Sequence, residues 1–416
     1  MPVEPTRPGW RWHRLLTLAR LATGHTPSRR CPEYWNGDIP WLQLPDIRAL
    51  DGQRALDTLE HTNELGIKNS AAVLLPEGTV CLSRTASVGF VTVMGRPMAT
   101  SQDFVNWVCG PDLSPEFLKW LFIACRKPIR DLGSGAVHQT IYCPTVEQFA
   151  VCIPPLAEQE RIAGRLTEQL GAVERARAAA AQRLAAAESL PAALLREVFG
   201  DPPPFDASPL APSTPTKPGW KWHRLTSLAR LATGHTPSRR CPEYWNGDIP
   251  WIQLPDIRAL DGRVAMDTSE HTNALGIENS AAVRLPAGSV CLSRTASVGF
   301  VTIMGREMAT SQDFVNWVCG PDLDPSFLMH LFIACRKPIR DLGSGAVHHT
   351  IYFPTVEQFS VCVPDLPTQR RLAAEITQRL AAAEGVIVRC RDELAAIEAL
   401  PAALLRDAFG GAEARE

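Results

Sequence analysis

The segment Gly24–Trp41, GHTPSRRCPEYWNGDIPW, recurs without a single change at Gly234–Trp251. The same offset of 210 residues relates Pro191 to Pro401, so the two copies align without a gap. A repeat of this length is a whole domain rather than one turn of a solenoid, whose repeats are several times shorter. The 416-residue chain is therefore two similar halves joined in tandem.

The first part of each half has the pattern of a mixed α/β domain. Short β-like runs separated by Gly and Pro occur at Ala72–Leu75, Phe90–Met94 and Phe104–Val108. One amphipathic helix is predicted from Pro115 to Cys125. These elements predict a compact domain that extends to about Pro154.

The second part of each half predicts one long helix with a single apolar stripe. The stripe residues follow steps of three and four: Ile162, Leu166, Leu170, Val173, Ala176, Ala180 and Leu184, then Leu372, Ile376, Leu380, Ala383 and Ile387. A helix of this kind is roughly 60 Å long at 1.5 Å per residue. We expect the two helices to pack antiparallel and to relate the domains by a pseudo-two-fold axis. Packing of each helix on its own domain is the alternative.

The predicted fold class is therefore mixed α/β, with two globular domains joined and spaced by two long antiparallel helices. The predicted boundaries are a first domain at 7–154, a central helix at 155–200, a linker at 201–216, a second domain at 217–364 and a C-terminal helix at 365–410. The linker, DPPPFDASPLAPSTPT, is rich in Pro and Ser and is predicted to be extended.

Charge and composition exclude several classes of protein. The formal net charge is -2, which counts against a globally basic surface, although residues 7–150 hold 15 Lys+Arg against 13 Asp+Glu. Any basic surface must be local, for example at Arg29-Arg30 or around Arg126, Lys127 and Arg130. No apolar run reaches the ~18 residues of a membrane span, and the start MPVEPTRPGWRWHR is unlike a secretory signal. We expect a cytoplasmic protein.

The twelve cysteines predict free thiols rather than disulfides or a metal site. None lies in a CxxC pair, and Cys143 is replaced by Phe353 in the second copy. A position that accepts Phe is typical of an apolar site.

Motifs of catalytic sites are absent from the sequence. It contains no GxxxxGK[ST] loop and no HExxH pattern. Asp201–Phe205, DPPPF, resembles an amino-methyltransferase motif but has an extra proline, and the second copy has Gly411-Ala412-Glu413 there instead. A faint nuclease-like spacing at Asp112, Glu116 and Lys119 is lost in the second copy. We therefore predict no catalytic residue and no metal ligand.

Three polar segments recur in both copies, and because catalytic motifs are absent they indicate a role in binding. They are the opening segment, SRTASVG at Ser83–Gly89, and GSGAVHQT at Gly133–Thr140. Arg, Gln and Asn form bidentate hydrogen bonds with guanine and adenine edges, whereas Ser and Thr suit phosphates. The alternative is that Tyr34, Trp35 and Trp41 belong to the core and that the arginines are solvated.

These segments supply the candidate DNA-binding residues. In the first copy they are Arg29, Arg30, Tyr34, Trp35, Asn36, Gln43, Arg84, Thr85, Ser87, Ser134, His138, Gln139 and Thr140. In the second copy they are Arg239, Arg240, Tyr244, Trp245, Asn246, Gln253, Arg294, Thr295, Ser297, Ser344, His348, His349 and Thr350.

The order of these motifs resembles the specificity subunit of Type I restriction–modification enzymes. The opening segment resembles that family's G-x-TP…YW-x-G-x-IPW motif, and SRTASVGF resembles its R-T-G-S-V-G motif. IPPLAEQERI and the helix ends LPAALLREVFG and LPAALLRDAFG complete the likeness, which covers nearly the whole chain. The resemblance implies two target-recognition domains, each reading one half of a split double-stranded DNA site, in a subunit without catalytic residues.

The resemblance also implies partners and cofactors. Two modification subunits methylate adenine N6 with S-adenosylmethionine, and restriction subunits use ATP and Mg. Because the two copies are nearly identical, we expect a near-palindromic site. The copies differ at Gln139/His349 and Lys68/Glu278, so one base could differ between the halves. The alternatives are a fused enzyme, a scaffold or defence protein that does not read sequence, and a system that methylates without cutting.

Overall fold

Two compact units divide the chain, and neither is a simple half of the sequence. A computed structural model describes residues 7–134, 139–344 and 349–410. Unit 1 contains 1–181 together with 392–416, and unit 2 contains 182–391. Each unit therefore holds one α/β domain, most of the helix that follows it, and the end of the other long helix. The mixed α/β class is confirmed.

The first copy begins with alternating strands and short helices, continues with the four consecutive strands β6 to β9, and ends with helices around one last strand. Its strands are β1 Arg11–Arg14, β2 Ala19–Thr23, β3 Trp35–Leu42, β4 Arg54–Ala55, β5 His61–Thr62, β6 Val80–Ser83, β7 Val91–Met94, β8 Ala99–Thr100, β9 Phe104–Cys109 and β10 Ala150–Ile153. Its helices are α1 Leu15–Leu18, α2 Leu44–Ala49, α3 Glu64–Lys68, α4 Pro115–Ala124, α5 Arg126–Asp131, α6 Cys143–Val146 and α7 Leu156–Phe199, with a 3-10 turn at Pro32–Tyr34.

The second copy repeats this order after one added strand. Its strands are β11 Phe205–Asp206, β12 Lys221–Arg224, β13 Ala229–Thr233, β14 Trp245–Ile252, β15 Val264–Ala265, β16 His271–Thr272, β17 Val290–Ser293, β18 Val301–Met304, β19 Ala309–Thr310, β20 Phe314–Cys319 and β21 Ser360–Val363. Its helices are α8 Leu225–Leu228, α9 Leu254–Ala259, α10 Ala274–Glu278, α11 Pro325–Ala334, α12 Arg336–Asp341, α13 Phe353–Val356 and α14 Leu366–Phe409, with a 3-10 turn at Pro242–Tyr244.

Each domain is built on a five-stranded sheet. In unit 1 the strand order is β2-β9-β6-β7-β4, in which β4 pairs with β7 in parallel and the other pairs are antiparallel. A three-stranded sheet, β5-β3-β8, and a two-stranded pair, β1-β10, complete the domain. The core includes Val80, Val105 and Trp107, whose side chains are fully buried. Unit 2 repeats the five-stranded and three-stranded sheets.

Several predicted elements are confirmed and one is wrong. The structure confirms the helix at α4, where Pro115 occupies the first turn and Ser114 Oγ accepts the Phe117 N–H. The run Ala72–Leu75 is not a strand: Leu75 forms one isolated bridge with Met98. Pro76 follows it directly and has no N–H with which to continue a ladder.

The predicted linker is bound to unit 2 rather than free. Phe205–Asp206 adds a strand to β21, and Phe205 packs against Phe359 with ring centroids 4.9 Å apart. Trp222 Nε1 donates to the Thr214 carbonyl at 2.8 Å. Apolar contact and main-chain pairing therefore hold a segment whose composition is typical of an extended linker.

The two long helices run antiparallel within each unit. In unit 2 Glu188 pairs with Arg391 at 2.8 Å and Glu197 with Arg379 at 2.7 Å, so numbers rise on one helix as they fall on the other. In unit 1 Arg165 pairs with Asp407 at 3.6 Å. Each helix ends at a glycine of positive φ, Gly200 at 93° and Gly410 at 72°, a conformation that an L side chain rarely adopts. The stripe is mostly buried as predicted, but Ala176 is exposed.

The end of each long helix packs into the domain that the other copy supplies. In unit 2 Phe199, the last residue of α7, lies 5.4 Å from Phe327 and 6.4 Å from Trp220 between ring centroids. In unit 1 Phe409, the last residue of α14, lies 5.4 Å from Phe117. Burying a phenylalanine contributes roughly 2 to 3 kcal/mol, so this exchange stabilises both units. The prediction of a pseudo-two-fold relation between the domains stays a prediction.

Candidate nucleic-acid interface

Close backbone contacts hold the opening segment of each domain in place. A Cβ on Gly24 would lie 2.1 Å from the Ser101 carbonyl oxygen, and one on Gly37 would lie 2.4 Å from Asn63 Cβ. No side chain fits at such distances, so glycine is required at both positions. Asn36, the second residue of β3, has a φ of 60° and an exposed side chain. The segment thus consists of a loop that leads into β3 and of β3 itself up to Trp41.

Arg29, the first motif arginine, is neutralised within the domain. Its guanidinium pairs with Glu60 at 2.5 Å and lies 4.0 Å from the centroid of Trp35 and 5.0 Å from that of Trp41. The hydrogen bond with Arg29 lowers the pKa of Glu60 and raises that of Arg29. Trp41 is buried and Trp35 is half-buried, so the core interpretation holds for Trp41.

The arrangement repeats in unit 2. Arg239 pairs with Glu270 at 2.5 Å and lies 4.0 Å from the centroid of Trp245 and 5.0 Å from that of Trp251. An arginine held in this way keeps its place on the surface but contributes little net charge there.

The other candidates of this segment divide into exposed and structural residues. The side chain of Arg30 is exposed. In the described part of the chain, its guanidinium group takes part in no hydrogen bond or ion pair, although its backbone N–H donates to Ser28 Oγ at 3.3 Å. Gln43 forms the capping box of α2, and its Nε2 donates to Glu60 at 3.2 Å. In unit 2 Gln253 Nε2 donates instead to Ser269 Oγ at 3.1 Å, because serine replaces Leu59 there.

The second motif is a tight loop at the end of β6. Ala86 has a φ of 57°, and Ser87 is buried. Arg84 Nε donates to the Gln102 carbonyl at 3.1 Å and its NH1 to the Ile141 carbonyl at 3.5 Å. These bonds connect Arg84 to two neighbouring segments. They occupy two of its five N–H donors.

The third motif lies directly against the second. Ser134 and Thr140 exchange both main-chain hydrogen bonds, at 3.1 and 3.0 Å, so the first and last described parts of this motif are paired. The Ala86 N–H donates to the Gln139 carbonyl at 3.2 Å. Gln139 is exposed beside this contact. His138 and its counterpart His348 lie outside the described residues.

Gln102 joins the opening segment to these two motifs. Its side-chain oxygen accepts from Thr26 Oγ1 at 2.6 Å, while its carbonyl accepts from Arg84. Gln312 makes the same two contacts in unit 2, with Thr236 at 2.6 Å and Arg294 at 3.1 Å. The three motifs therefore form one continuous surface in each unit, which we call the loop face.

The loop face carries basic residues that the motifs do not include. Arg48, in α2, donates from Nε to Ser87 Oγ at 2.7 Å, and Arg130, in α5, donates from Nε to the Val88 carbonyl at 3.0 Å. Arg130 is one of the residues for which the sequence predicts local positive charge, whereas Arg48 lies outside every predicted basic cluster and motif. Arg48 recurs as Arg258 in the second copy, and this repetition is the sequence signal that could have identified it.

The neighbouring basic residues are paired with acids. Arg126 pairs with Asp51 at 2.7 Å and Lys127 with Asp131 at 2.9 Å. The candidate basic cluster at Arg126, Lys127 and Arg130 is thus mostly neutralised, and its net positive charge lies at Arg130.

The cysteines are unpaired thiols, and burial makes several of them poor nucleophiles. Burial raises the pKa of Cys109 and of Cys319 to about 12 and that of Cys125 to about 11. Within the described ranges, no group of three or more His, Cys, Asp or Glu side chains is arranged to hold a metal ion. None of the described helices has the length and apolar character of a membrane span.

Comparisons with known proteins identify relatives of the whole arrangement. The pattern of the Type I restriction modification DNA specificity domain matches residues 9–179 and 217–383. The chain is 23% identical over 276 residues to the Type I restriction enzyme MjaIX specificity subunit of Methanocaldococcus jannaschii, an alignment covering 65% of this chain and 62% of that relative. It is 27% identical over 132 residues to the HindI specificity subunit of Haemophilus influenzae, covering 30% of this chain and 28% of that one. The chain thus matches less than two thirds of either relative's length.

Two solved structures share the fold. One comes from work on complex assembly and conformational transition of the type I R-M system, with a TM-score of 0.68, 19% identity, and 99% and 100% of the two chains covered. The other is the HsdS subunit from Thermoanaerobacter tengcongensis, with a TM-score of 0.62, 19% identity, and 97% of each chain covered.

Proposed function

Because this chain belongs to the family of the Type I restriction modification DNA specificity domain and carries that domain twice, we propose that it is the DNA sequence-specificity subunit of a Type I restriction–modification complex. Each loop face reads one half of a split site in double-stranded DNA. The observation that carries this proposal is the loop face itself: described residues of three polar motifs, distant in sequence, are joined by hydrogen bonds in both units. Loops that a folded scaffold positions often carry binding residues, and polar side chains on them suit contacts with DNA.

Catalysis belongs to partner subunits in this proposal. Two modification subunits bind the chain and methylate adenine N6 with S-adenosylmethionine, and restriction subunits supply ATP- and Mg-dependent cleavage. The specificity subunit itself contributes no catalytic residue and places the modification subunits on the target. The expected cytoplasmic location remains a prediction.

The target is proposed to be a near-palindromic split site. The loop faces have the same candidate residues in both units except at Gln139/His349. A glutamine side chain presents a donor and an acceptor that match the adenine edge, whereas histidine presents a different pattern. Lys68/Glu278, the other difference noted, lies in α3 and α10. The two half-sites therefore match closely and differ, if at all, at one base.

Methylation mapping tests this function. The chain is co-expressed with its modification subunit in a host without adenine methylation, and N6-methyladenine is mapped across the genome. Methylation at a split, inverted-repeat motif supports both the function and the symmetry. An asymmetric split motif supports the function and contradicts the matching half-sites. No methylation by a complex verified by co-purification contradicts the function and favours the scaffold alternative.

One pair of variants isolates the single difference between the loop faces. Gln139→His makes unit 1 match unit 2 at this position, and His349→Gln does the reverse. Each variant is expected to make the two halves of the methylated motif the same. With Gln139→His both halves should carry the base that histidine reads, and with His349→Gln both should carry the base that glutamine reads. Lys68→Glu is the matched control because it also makes the copies alike, but in α3, and it should leave the motif unchanged.

A further inference from the structure

We propose that Arg48 and Arg130 of unit 1, and Arg258 and Arg340 of unit 2, bind the DNA phosphates that flank the bases read by each loop face. We call each pair the arginine clamp. This inference rests on the proposed function and adds residues to it that lie outside all three motifs. It assigns the backbone contacts to the clamps rather than to Arg29 and Arg239.

The clamp uses only one donor of each guanidinium to hold the loop. Arg48 and Arg130 each use Nε to hold one of two consecutive loop residues, Ser87 and Val88, at 2.7 and 3.0 Å. A guanidinium has five N–H donors, so four remain on each arginine. In the described part of the chain, no residue accepts from these terminal amino groups. Because Nε is fixed, the two terminal amino groups form a preorganised fork, which suits bidentate binding of a phosphate.

Charge separates the clamp from the other basic residues nearby. Arg29, Arg126 and Lys127 each have a carboxylate within 3 Å. Arg48 and Arg130 are bonded to a hydroxyl and a carbonyl, so their positive charge is not cancelled by a paired acid. Both side chains are exposed, which leaves them accessible to a polyanion. A chain with a net charge of -2 can therefore present a local cationic site.

The clamp holds residues next to a main-chain contact with Gln139, the candidate base-reading residue. Ser87 follows Ala86, whose N–H donates to the Gln139 carbonyl at 3.2 Å. The clamp thus holds the loop whose main chain contacts Gln139. Unit 2 repeats this geometry: Arg258 Nε donates to Ser297 Oγ at 2.7 Å, and Arg340 Nε to the Val298 carbonyl at 3.0 Å. Phosphate contacts next to base contacts set the register of a protein on the duplex.

The test measures how DNA affinity depends on salt. Each phosphate contact contributes about 0.9 to the slope of log K against log salt concentration. Arg48→Gln/Arg130→Gln keeps side-chain amide donors near the loop but removes both charges. In the complex with the modification subunit, this variant should reduce the slope by roughly 2 and weaken binding about 20-fold at 0.15 M salt. Cognate and unrelated DNA should lose affinity equally, and Arg258→Gln/Arg340→Gln should behave the same way.

The control is Lys127→Gln, which removes a charge from the same helix, α5, at a residue already paired with Asp131. Its salt slope should match that of the unchanged protein, and thermal unfolding should show that all variants fold. An unchanged slope in both clamp variants would overturn the inference while leaving sequence-specific binding intact. A wild-type complex without any preference for one sequence would instead contradict the proposed function.

Discussion

The loop face is nearly the same in both units, with Gln139/His349 as the one changed candidate residue, whereas the face of α4 that meets the long helix differs more from that of α11. On the loop face, Gly24 and Gly234 both lie where a Cβ would be within about 2.1 Å of neighbouring oxygens. On the helix side, Lys119 and Trp120 are replaced by Met329 and His330. The comparison shows that close backbone contacts leave no room for a side chain, whereas packed side chains on the helix side differ between the units in charge and, at Trp120/His330, in size.

The changed face preserves one contact through different chemistry. In unit 1 Trp120 Nε1 donates to Thr167 Oγ1 at 3.1 Å, and in unit 2 His330 Nε2 lies 2.9 Å from Thr377 Oγ1. The charged group in unit 1 has no equivalent in unit 2. Lys119 there pairs with Glu116 at 2.7 Å and lies 4.0 Å from the ring centroid of Trp120.

The largest expected effect concerns the aromatic contacts that both units retain. Phe199→Ala removes a fully buried ring from the cluster with Trp220 and Phe327. Such a truncation destabilises by about 3 to 5 kcal/mol. Hydrogen exchange should show lost protection in unit 2, whereas Phe199→Leu should cost less than about 1.5 kcal/mol. Loss of protection confined to unit 1 would contradict the exchange of helix ends.

The segment Gly24–Trp41, which is identical in both copies, should not accommodate a methyl group at Gly24. Gly24→Ala places a Cβ 2.1 Å from both Ser101 O and Thr100 Oγ1. The backbone must move, at an expected cost of about 3 kcal/mol in the free energy of unfolding. Gly164→Ala is the control, since nothing lies within 4 Å and the second copy has Ala374 there. It should stabilise α7 by about 0.5 to 1 kcal/mol in denaturant unfolding. Equal effects of the two changes would refute this account.

The changed face should tolerate replacement by its counterpart, but only as a pair. Glu116→Ser leaves Lys119, whose side chain is 4% exposed, without its acid and should cost roughly 2 to 3 kcal/mol. Burial already lowers the pKa of Lys119. The double variant Glu116→Ser/Lys119→Met, which copies unit 2, should recover to within about 1 kcal/mol of the original in urea unfolding. A double variant less stable than the single one would show that the two units do not share one packing solution.

The smallest predicted effect is a difference in pH dependence between the units. Burial lowers the pKa of His330 to about 4, below the ordinary value of 6.5. The unfolded state then binds more protons between these two values, so unit 2 loses stability as the pH falls from 6.5 towards 4. The expected loss is roughly 2 kcal/mol at pH 5. Asp324 opposes the shift, and His330→Trp, which copies unit 1, should abolish this part of the pH dependence. Identical exchange profiles at pH 7 and pH 5 for the parent and the variant would contradict it.

Much of the fold follows from local pattern. The α4 helix and the two long helices are readable from short-range spacing, and the two-domain organisation is readable from the constant offset of 210 residues. The prediction of a strand at Ala72–Leu75 is wrong because a short apolar run does not reveal whether a partner strand lies beside it. For the 201–216 segment, the composition indicates an extended linker but does not show that Phe205 packs against Phe359.

The candidate residues show the same limit. Motif chemistry selected Arg29 and Arg84, because arginine forms strong contacts with bases and phosphates. It could not show that Glu60 would neutralise the first or that the carbonyls of Gln102 and Ile141 would hold the second. Arg48 stands outside every motif and was missed, although it lies on the loop that the second motif forms.

The sequence by itself determined that this protein has two equivalent domains, a long helix after each, and three polar segments suited to DNA in each copy. Those properties depend on residue types and spacings within a few dozen residues. The tertiary structure alone decided that Phe199 and Phe409, at the ends of the long helices, each pack in the domain of the other copy. It also decided that Glu60 neutralises Arg29, whereas the arginine clamp has no paired acid. These outcomes depend on contacts between residues far apart in the chain, and such contacts form only when the packed backbone brings their partners within a few ångströms.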